Sequence, residues 1–306
     1  MPVLGVDIGG TKIAAGVVDE AARVSGTVVR PTRAAEGFAV SLAQVLATVA
    51  EVFRPGLGAI GICAPGPLNP KTGVILNPPN LFGWRDVPLA RIVSERFGVP
   101  CRIENDANAA GLAETLFGAA RGCASVLYMT WSTGIGTGIV LDGKIYYGKN
   151  GAAAEGGHVT VDYSSRVVCN CGSRGCIEAL ASGAAIERRA RELLATFPGT
   201  ALAEPITGET IGAAAAAGDL LALRVLDEAA TMVGAWMGSM VSLLDPDIIV
   251  VGGGIARIGE PLLSRLRASV PTRTINQFAS EIPIVPAALA ADAGLVGAAS
   301  VVLDLC

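Results

Sequence analysis

The chain contains a single histidine, His158, and little charge: 16% of its 306 residues are Asp, Glu, Lys or Arg, against 51% hydrophobic. So low a charge content with so much apolar material excludes intrinsic disorder. Long apolar runs are missing as well, since none reaches the length of a membrane span without Gly, polar or charged breaks. A basic surplus is also absent. The formal charge of −4 and pI near 5.2 give a polyanion no bulk attraction, no basic stripe compensates locally, and nucleic acid is excluded as an expected partner. Met1 is followed by an apolar run at 3–6 and then Asp7, with no basic region, hydrophobic signal core or cleavage site, so the expected location is the cytoplasm. There is no coiled-coil pattern and no low-complexity linker beyond the Ala-rich segment 201–218. The length suffices to bury a core and to form two compact lobes.

What the chain does have is concentrated at residues 155–178, where the histidine sits with three of the seven cysteines and the carboxylates Glu155 and Glu178. His158, Cys169, Cys171 and Cys176 supply one imidazole and three thiols, the donor set of tetrahedral structural zinc. Gly172 and Gly175 flank the tight turn needed to bring two sulfurs to one ion. Burial of these cysteines as small core hydrophobes conflicts with Asn170, Ser173 and Arg174 between them. A disulfide pair stays open as an alternative, although the N-terminus carries no sign of export to an oxidising compartment.

Earlier in the chain, the apolar run 3–6 enters Asp7-Ile8-Gly9-Gly10-Thr11-Lys12, and 13–18 resumes an apolar run. A strand, a glycine turn and a second strand fit a phosphate-binding loop. Adjacent glycines let backbone N–H groups reach an anion, Thr11 adds a hydroxyl, Lys12 adds charge, and Asp7 can hold a cation or its water shell. An ordinary hairpin would show the same glycines. The loop is neither a Walker motif nor a dinucleotide fingerprint, because a strand follows it. Residues 37–53 have helical spacing and 57–63 read as a buried strand, so this region is α/β. Turn-rich stretches follow at 64–68 and 77–84, carrying Gly66 and Asn80. After a helix at 87–97 and a strand at 99–104, Asn105-Asp106-Ala107-Asn108 precedes a helix at 109–117, at a strand's carboxyl end where α/β folds meet ligands. Asn105 or Asn108 can cap that helix while Asp106 faces the pocket.

A second strand, glycine turn and strand occupies 125–141, with Ser132-Thr133-Gly134-Ile135-Gly136-Thr137-Gly138 inside it and a hairpin turn at Asp142-Gly143. Two such units point to two related lobes gripping one polyphosphate. Helices are expected at 177–194, 211–217 and 220–244, the last stopped by Asp245-Pro246. A strand at 247–251 empties into Gly252-Gly253-Gly254 before a helix at 258–268, which would let a flat ring or ribose lie on bare backbone. A strand at 282–285 and a helix at 291–303 close the chain.

Taken together, the phosphate loop at 7–12, Asn105-Asp106-Ala107-Asn108, Ser132-Thr133-Gly134-Ile135-Gly136, Glu155-Gly156-Gly157-His158 and Cys169-x-Cys171-Gly172-x-x-Gly175-Cys176-x-Glu178 resemble the ROK family of bacterial sugar kinases and sugar-responsive repressors over nearly the whole chain. The resemblance implies an α/β, two-lobed actin/Hsp70/hexokinase-like (ribonuclease H-like) fold with a deep interlobe cleft. It implies a small N-terminal domain at 1–112 completed by a helix at 290–306, and a large domain at 113–289. Closure over substrate would hinge near 110–122 and 288–292. The implied activity is ATP- and Mg²⁺-dependent phosphorylation of a hexose hydroxyl, glucose to glucose 6-phosphate in a glucokinase-like member, with Asp106 as general base.

By the same resemblance Gly66, Asn80, Asn105, Asp106, Glu155, His158 and Glu178 bind the sugar. Asp7, Gly9, Gly10, Thr11, Lys12, Ser132, Thr133, Gly134, Gly253 and Gly254 bind nucleotide or its metal. His158, Cys169, Cys171 and Cys176 hold a structural Zn²⁺, the second ring nitrogen of His158 being left for a hydroxyl. Thr137 stands where many members have glycine, which narrows backbone approach to phosphate. Family repressors carry an additional N-terminal helix-turn-helix domain, and a phosphate loop at residue 7 favours a kinase. An N-acetylmannosamine, N-acetylglucosamine or fructose kinase is the alternative enzyme, and a non-catalytic sugar-binding regulator the alternative class. A homodimer or homotetramer is expected.

Overall fold

Short, β-branched apolar runs separated by Gly, Pro and Asn turns give the chain its strands, and longer 3.6-periodic runs its helices. The computed structural model describes residues 1–305. In chain order the elements are β1 (Val3–Ile8), β2 (Lys12–Val18), β3 (Val24–Pro31), α1 (Phe38–Val52), β4 (Ile60–Ala64), β5 (Leu68–Asn69), β6 (Val74–Ile75), α2 (Leu89–Phe97), β7 (Cys101–Asn105) and α3 (Asp106–Leu116). There follow β8 (Ser125–Trp131), β9 (Ile135–Leu141), β10 (Lys144–Ile145), α4 (Ile177–Ala181), α5 (Gly183–Leu194), α6 (Gly208–Ala216), α7 (Leu220–Leu244), β11 (Ile248–Gly252), α8 (Glu260–Ser269), β12 (Ile284–Pro286) and α9 (Ala293–Ser300). Two mixed five-stranded sheets result, ordered β3-β2-β1-β4-β7 and β10-β9-β8-β11-β12. Among the described residues no helix is long and apolar enough to cross a membrane.

The chain forms two compact units, one of Met1–Gly122, Gly138–Ala154 and the segment from Ala288 on, the other of Cys123–Thr137 and Glu155–Ala287. In the first, β1, β2 and β3 are antiparallel, whereas β1, β4 and β7 run parallel. Leu4, Val6, Ile13, Ile60, Ile62 and Ile103 from these strands pack with Val45 and Val49 of α1 and with Trp84. The Trp84 indole N–H is satisfied by Ser41 Oγ at 2.7 Å. Helix α9 also packs against β1 and β4. A Cβ at Gly5 would lie 2.2 Å from the Leu295 carbonyl oxygen, and one at Gly61 only 1.7 Å from that of Ala298, so two strand glycines let helix backbone rest on sheet backbone. Glu114 of α3 is fully buried; its carboxylate accepts from the N–H groups of Ala119 (2.8 Å), Ala288 (3.1 Å) and Leu289 (2.8 Å). It thereby ties the stretch leaving this unit to the stretch returning to it.

In the second unit β8, β11 and β12 are parallel neighbours. Helix α7 starts at the Asp219 cap, whose side chain accepts from Ala222 N–H, and ends at Asp245 in the left-handed region at φ 42°. Other helix boundaries differ from the sequence expectation, two of them for identifiable reasons. Helix α3 begins at Asp106 and not at 109, because Asn105 itself caps it. The single helix expected at 177–194 breaks at Ser182, whose hydroxyl accepts from Ala185 N–H and starts α5 afresh. Helix α9 is shorter than 291–303. Strand β3 was not foreseen, since its residues are mostly exposed and do not alternate between apolar and polar.

Candidate active site

The carboxyl ends of the parallel strands β1, β4 and β7 bring chemistry-bearing residues into one row. Asp7 is in register with Cys63, Cys63 with Glu104, and Ala64 with Asn105. Asn105 Oδ1 caps α3 by accepting from the N–H groups of Ala107 (2.9 Å) and Asn108 (3.2 Å), and its Nδ2 is left beside Gly66. Asp106 is the next residue, with Oδ1 accepting from Ala107 N–H at 2.8 Å. Cys63 Sγ lies 3.4 Å from Asp7 Oδ1 and 3.3 Å from the Gly294 carbonyl, both within donation range. Burial pushes the Asp7 carboxyl up from its ordinary value, opposed by the Cys63 thiol and by Lys12. Burial pushes the Cys63 thiol up as well, and the neighbouring Asp7 and Asp106 carboxylates add to it.

The loop between β1 and β2 is closed by Gly9 N–H donating to the Lys12 carbonyl at 2.8 Å. Thr32 pins it from outside: its hydroxyl donates to the Gly9 carbonyl at 2.6 Å and its N–H to the Thr11 carbonyl at 2.9 Å. Asn80 packs against Gly10, where a Cβ would come within 3.0 Å of the Asn80 carbonyl oxygen. Gly66, Asn105 and Asp106 are thus brought together, and Asn80 is set against Gly10.

In the second unit His158 closes a 3₁₀ turn, Gly156–His158. Both glycines are dictated by close approach. A Cβ at Gly157 would be 1.9 Å from the Ile135 carbonyl oxygen, and one at Gly156 2.7 Å from Thr137 Oγ1 and 2.9 Å from the Trp236 ring. Thr137, expected beside phosphate, is buried and accepts from Gly156 N–H at 2.8 Å. His158 Nε2 lies 3.9 Å from a Glu155 carboxylate oxygen. Glu178, at the start of α4, accepts from Ile135 N–H through Oε2 at 3.1 Å.

The ligand atoms of His158, Cys169, Cys171 and Cys176 all lie within 4.8 Å of one another. A tetrahedral zinc with Zn–S about 2.3 Å and Zn–N about 2.05 Å would set S···S at about 3.75 Å and S···N at about 3.55 Å. The Cys171–Cys176 sulfurs are 3.7 Å apart and Cys169 Sγ is 3.5 Å from His158 Nδ1, so the donor set fits the ion and no S–S bond joins these thiols. Gly172 (φ 89°) and Gly175 (φ 70°) take up the left-handed turns between the sulfurs. Burial, followed by the adjacent thiols, pushes Cys176 up to about 12. Three sulfurs so close would ionise together only beside a cation. With Nδ1 facing the thiols, Nε2 is the nitrogen on the Glu155 side.

Ser132, Thr133 and Gly254 line a cavity of about 810 Å³ within the second unit, together with Gly208 and Gly212 of α6. The turn is closed by Ser132 N–H donating to the Gly134 carbonyl at 2.9 Å, and Gly183 N–H, opening α5, donates to the Ser132 carbonyl at 2.7 Å. Gly253 has φ 93°, and a Cβ there would be 2.4 Å from the Trp131 carbonyl oxygen. Sequence reasoning missed Glu187, which accepts from Gly208 N–H at 2.9 Å, and Arg257, both on the cavity wall. The small residues Gly208, Gly212 and Ala216, on an α-helix, were the available signal.

Two mixed five-stranded sheets with glycine turns after β1 and β8 define an α/β protein of the actin-like class. The ROK family model matches residues 3–305, and the chain belongs to the ROK family. The glucokinase of Thermotoga maritima is 34% identical over 312 residues, spanning 99% of this chain and 98% of that one. The ROK family glucokinase of Streptomyces griseus, solved in complex with glucose and AMPPNP, superposes with TM-score 0.87 at 38% identity, covering 98% of this chain and 99% of that one. The ROK hexokinase of Thermus thermophilus superposes with TM-score 0.82 at 40% identity, over 98% and 97% of the two chains. This chain is a glucokinase-like ROK sugar kinase.

Proposed function

We propose that the chain transfers the γ-phosphoryl group of ATP to a hexose hydroxyl, converting glucose to glucose 6-phosphate, with Asp106 as general base. The observation that carries this reading is the position of Asp106 as the first residue of α3, directly after the Asn105 cap, at the carboxyl end of the parallel strands β1, β4 and β7 that also carry Asp7 and Cys63. A carboxylate held there by Ala107 N–H can take the proton of an attacking hydroxyl, and phosphoryl transfer otherwise needs alignment and charge stabilisation. Gly66, Asn80, Asn105, Glu155, His158 and Glu178 are the proposed sugar ligands. A carboxylate accepts hydroxyl protons, and His158 Nε2 meets a hydroxyl while Nδ1 faces the thiols.

ATP is assigned to Gly9, Gly10, Thr11 and Lys12, to Ser132, Thr133 and Gly134, and to Gly253 and Gly254. Mg²⁺ is assigned to Asp7, a buried carboxylate that a cation would favour in its ionised form; when bound it neutralises phosphate charge. The zinc is assigned a structural task, because four protein ligands leave no position open for substrate.

The test is a coupled assay with ATP or polyphosphate as donor over glucose, mannose, fructose, N-acetylglucosamine and N-acetylmannosamine. Glucose is expected to give the highest kcat/KM; an acetamido sugar or fructose in first place would replace the substrate assignment. Asp106→Ala is expected to cut kcat by about 10³-fold with calorimetric glucose binding retained. Unchanged turnover in that variant would remove the base assignment.

A further inference from the structure

Glu104, the last strand residue before Asn105, is 1% exposed and makes no salt bridge among the described residues. Its charge is met by three hydrogen-bond donors instead. Oε1 accepts from the Asn105 backbone N–H at 2.8 Å and from Asn108 Nδ2 at 3.1 Å, and Oε2 accepts from the Tyr147 hydroxyl at 2.7 Å. Asn105 and Asn108 bracket the first turn of α3, with Asp106 inside it. One carboxylate oxygen therefore holds both ends of the turn that carries the proposed base. The other oxygen is held by a residue from the segment after β10, forty-three positions away in sequence. Burial pushes Glu104 up from its ordinary value while these donors oppose it.

We propose that Glu104 and Tyr147 act as a pair of positioning residues for catalysis: the buried carboxylate fixes the direction in which Asp106 projects, and the Tyr147 hydroxyl fixes the carboxylate. This rests on the reading of Asp106 as the base. A strand-end carboxylate does not need a tyrosine partner to hold a β-strand, since β7 is already paired with β4 along its length. What the Tyr147 bond adds is orientation of the carboxylate plane, and with it of Asn105 and Asn108. Displacement of a reacting group by about 1 Å costs about 10²-fold in rate, far more than the loss of one hydrogen bond costs a fold of this size.

The experiment measures kcat, KM for glucose and ATP, and melting temperature for Tyr147→Phe, Glu104→Gln, the double variant and Asp106→Asn. Tyr147→Phe keeps the ring and removes only the hydroxyl; it is expected to lower kcat about 10-fold, with both KM values within about 3-fold of wild type and a wild-type far-UV spectrum. Glu104→Gln is expected to lower kcat by about 30- to 100-fold, and the double variant to be no slower than Glu104→Gln, because the two residues act as a unit. Should Glu104→Gln fail to fold, Tyr147→Phe alone decides. Wild-type kcat in folded Tyr147→Phe, a loss confined to KM, or multiplicative losses in the double variant would each overturn the inference. If Asp106→Asn is inactive while Tyr147→Phe is fully active, the base assignment stands and the positioning pair falls; full activity in Asp106→Asn overturns both.

Discussion

The two units support their proposed site residues by different physical means. In the first, Asp7, Asn105 and Asp106 stand at strand ends and on the first turn of a helix, where ladders and a side-chain cap satisfy the backbone. In the second, Glu155, His158 and the thiols lie on a 3₁₀ turn and on stretches outside any named strand, joined by the isolated bridges Thr160 to Cys176 and Val168 to Arg174 and by scattered backbone bonds such as Ile177 N–H to the Val159 carbonyl. Regular secondary structure carries its own rigidity. A loop whose backbone bonds form no continuous ladder gains from a further source, and four candidate ligand atoms within 4.8 Å are the available one. A carboxylate proposed as base can be mounted on regular structure, whereas a histidine proposed to face a ligand from an irregular segment gains from a cross-link.

That contrast can be broken most severely at the thiols. The purified protein is expected to hold about one zinc per chain, and Cys176→Ser to lose it together with at least about 100-fold in kcat/KM for glucose, while the secondary structure of the first unit persists. Metal analysis and steady-state kinetics check both parts; a zinc-free wild type with full activity would refute the cross-link. A smaller effect is expected at Thr137, whose hydroxyl holds Gly156 N–H. Thr137→Val should leave that N–H unsatisfied and raise KM for glucose about 5-fold with kcat little changed, and Thr137→Ser should restore it. The smallest effect concerns the self-supporting half.

Burial holds the Asp7 carboxyl above its ordinary value of 3.8, so the folded state keeps a proton that the unfolded chain releases. The stability linked to that proton is complete below pH 3.8 and is lost as pH rises through the folded value. Asp7→Asn, which cannot ionise, should therefore melt about 2–4 °C higher than wild type at pH 7 in Mg²⁺-free buffer, the gain shrinking as pH falls toward 3.8. Thermal melts at several pH values measure it.

Much of this was legible in the sequence. The run at 220–244 returned as α7 with those bounds, stopped by Asp245 in the left-handed region, and 125–131 returned as β8. His158, Cys169, Cys171 and Cys176 were readable because their donor chemistry and spacing are local. Partners distant in sequence were not. Glu104 looks like an ordinary strand residue until Tyr147 arrives from forty-three positions on, and Glu114 like a solvated helix glutamate until Ala288 and Leu289 cover it. Thr32 was overlooked for the same reason, because its bonds to the Gly9 and Thr11 carbonyls depend on β3 lying beside β2. The break at Ser182 was hidden because flanking alanines favour helix on both sides and only the cap geometry separates them.

The glycines that admit α9 also set the order in which the molecule can be completed. Gly5 and Gly61 leave the ribosome more than two hundred residues before the carbonyls they receive, those of Leu295 and Ala298. At roughly 5–20 residues per second, β1 and β4 wait on the order of ten to fifty seconds for the helix that covers them. The residues of the second unit, Cys123–Thr137 and Glu155–Ala287, are all synthesised within that interval. The unit whose strands are made before the other unit is thus completed only after it, and its exposed sheet is the surface a nascent chain must keep from aggregating.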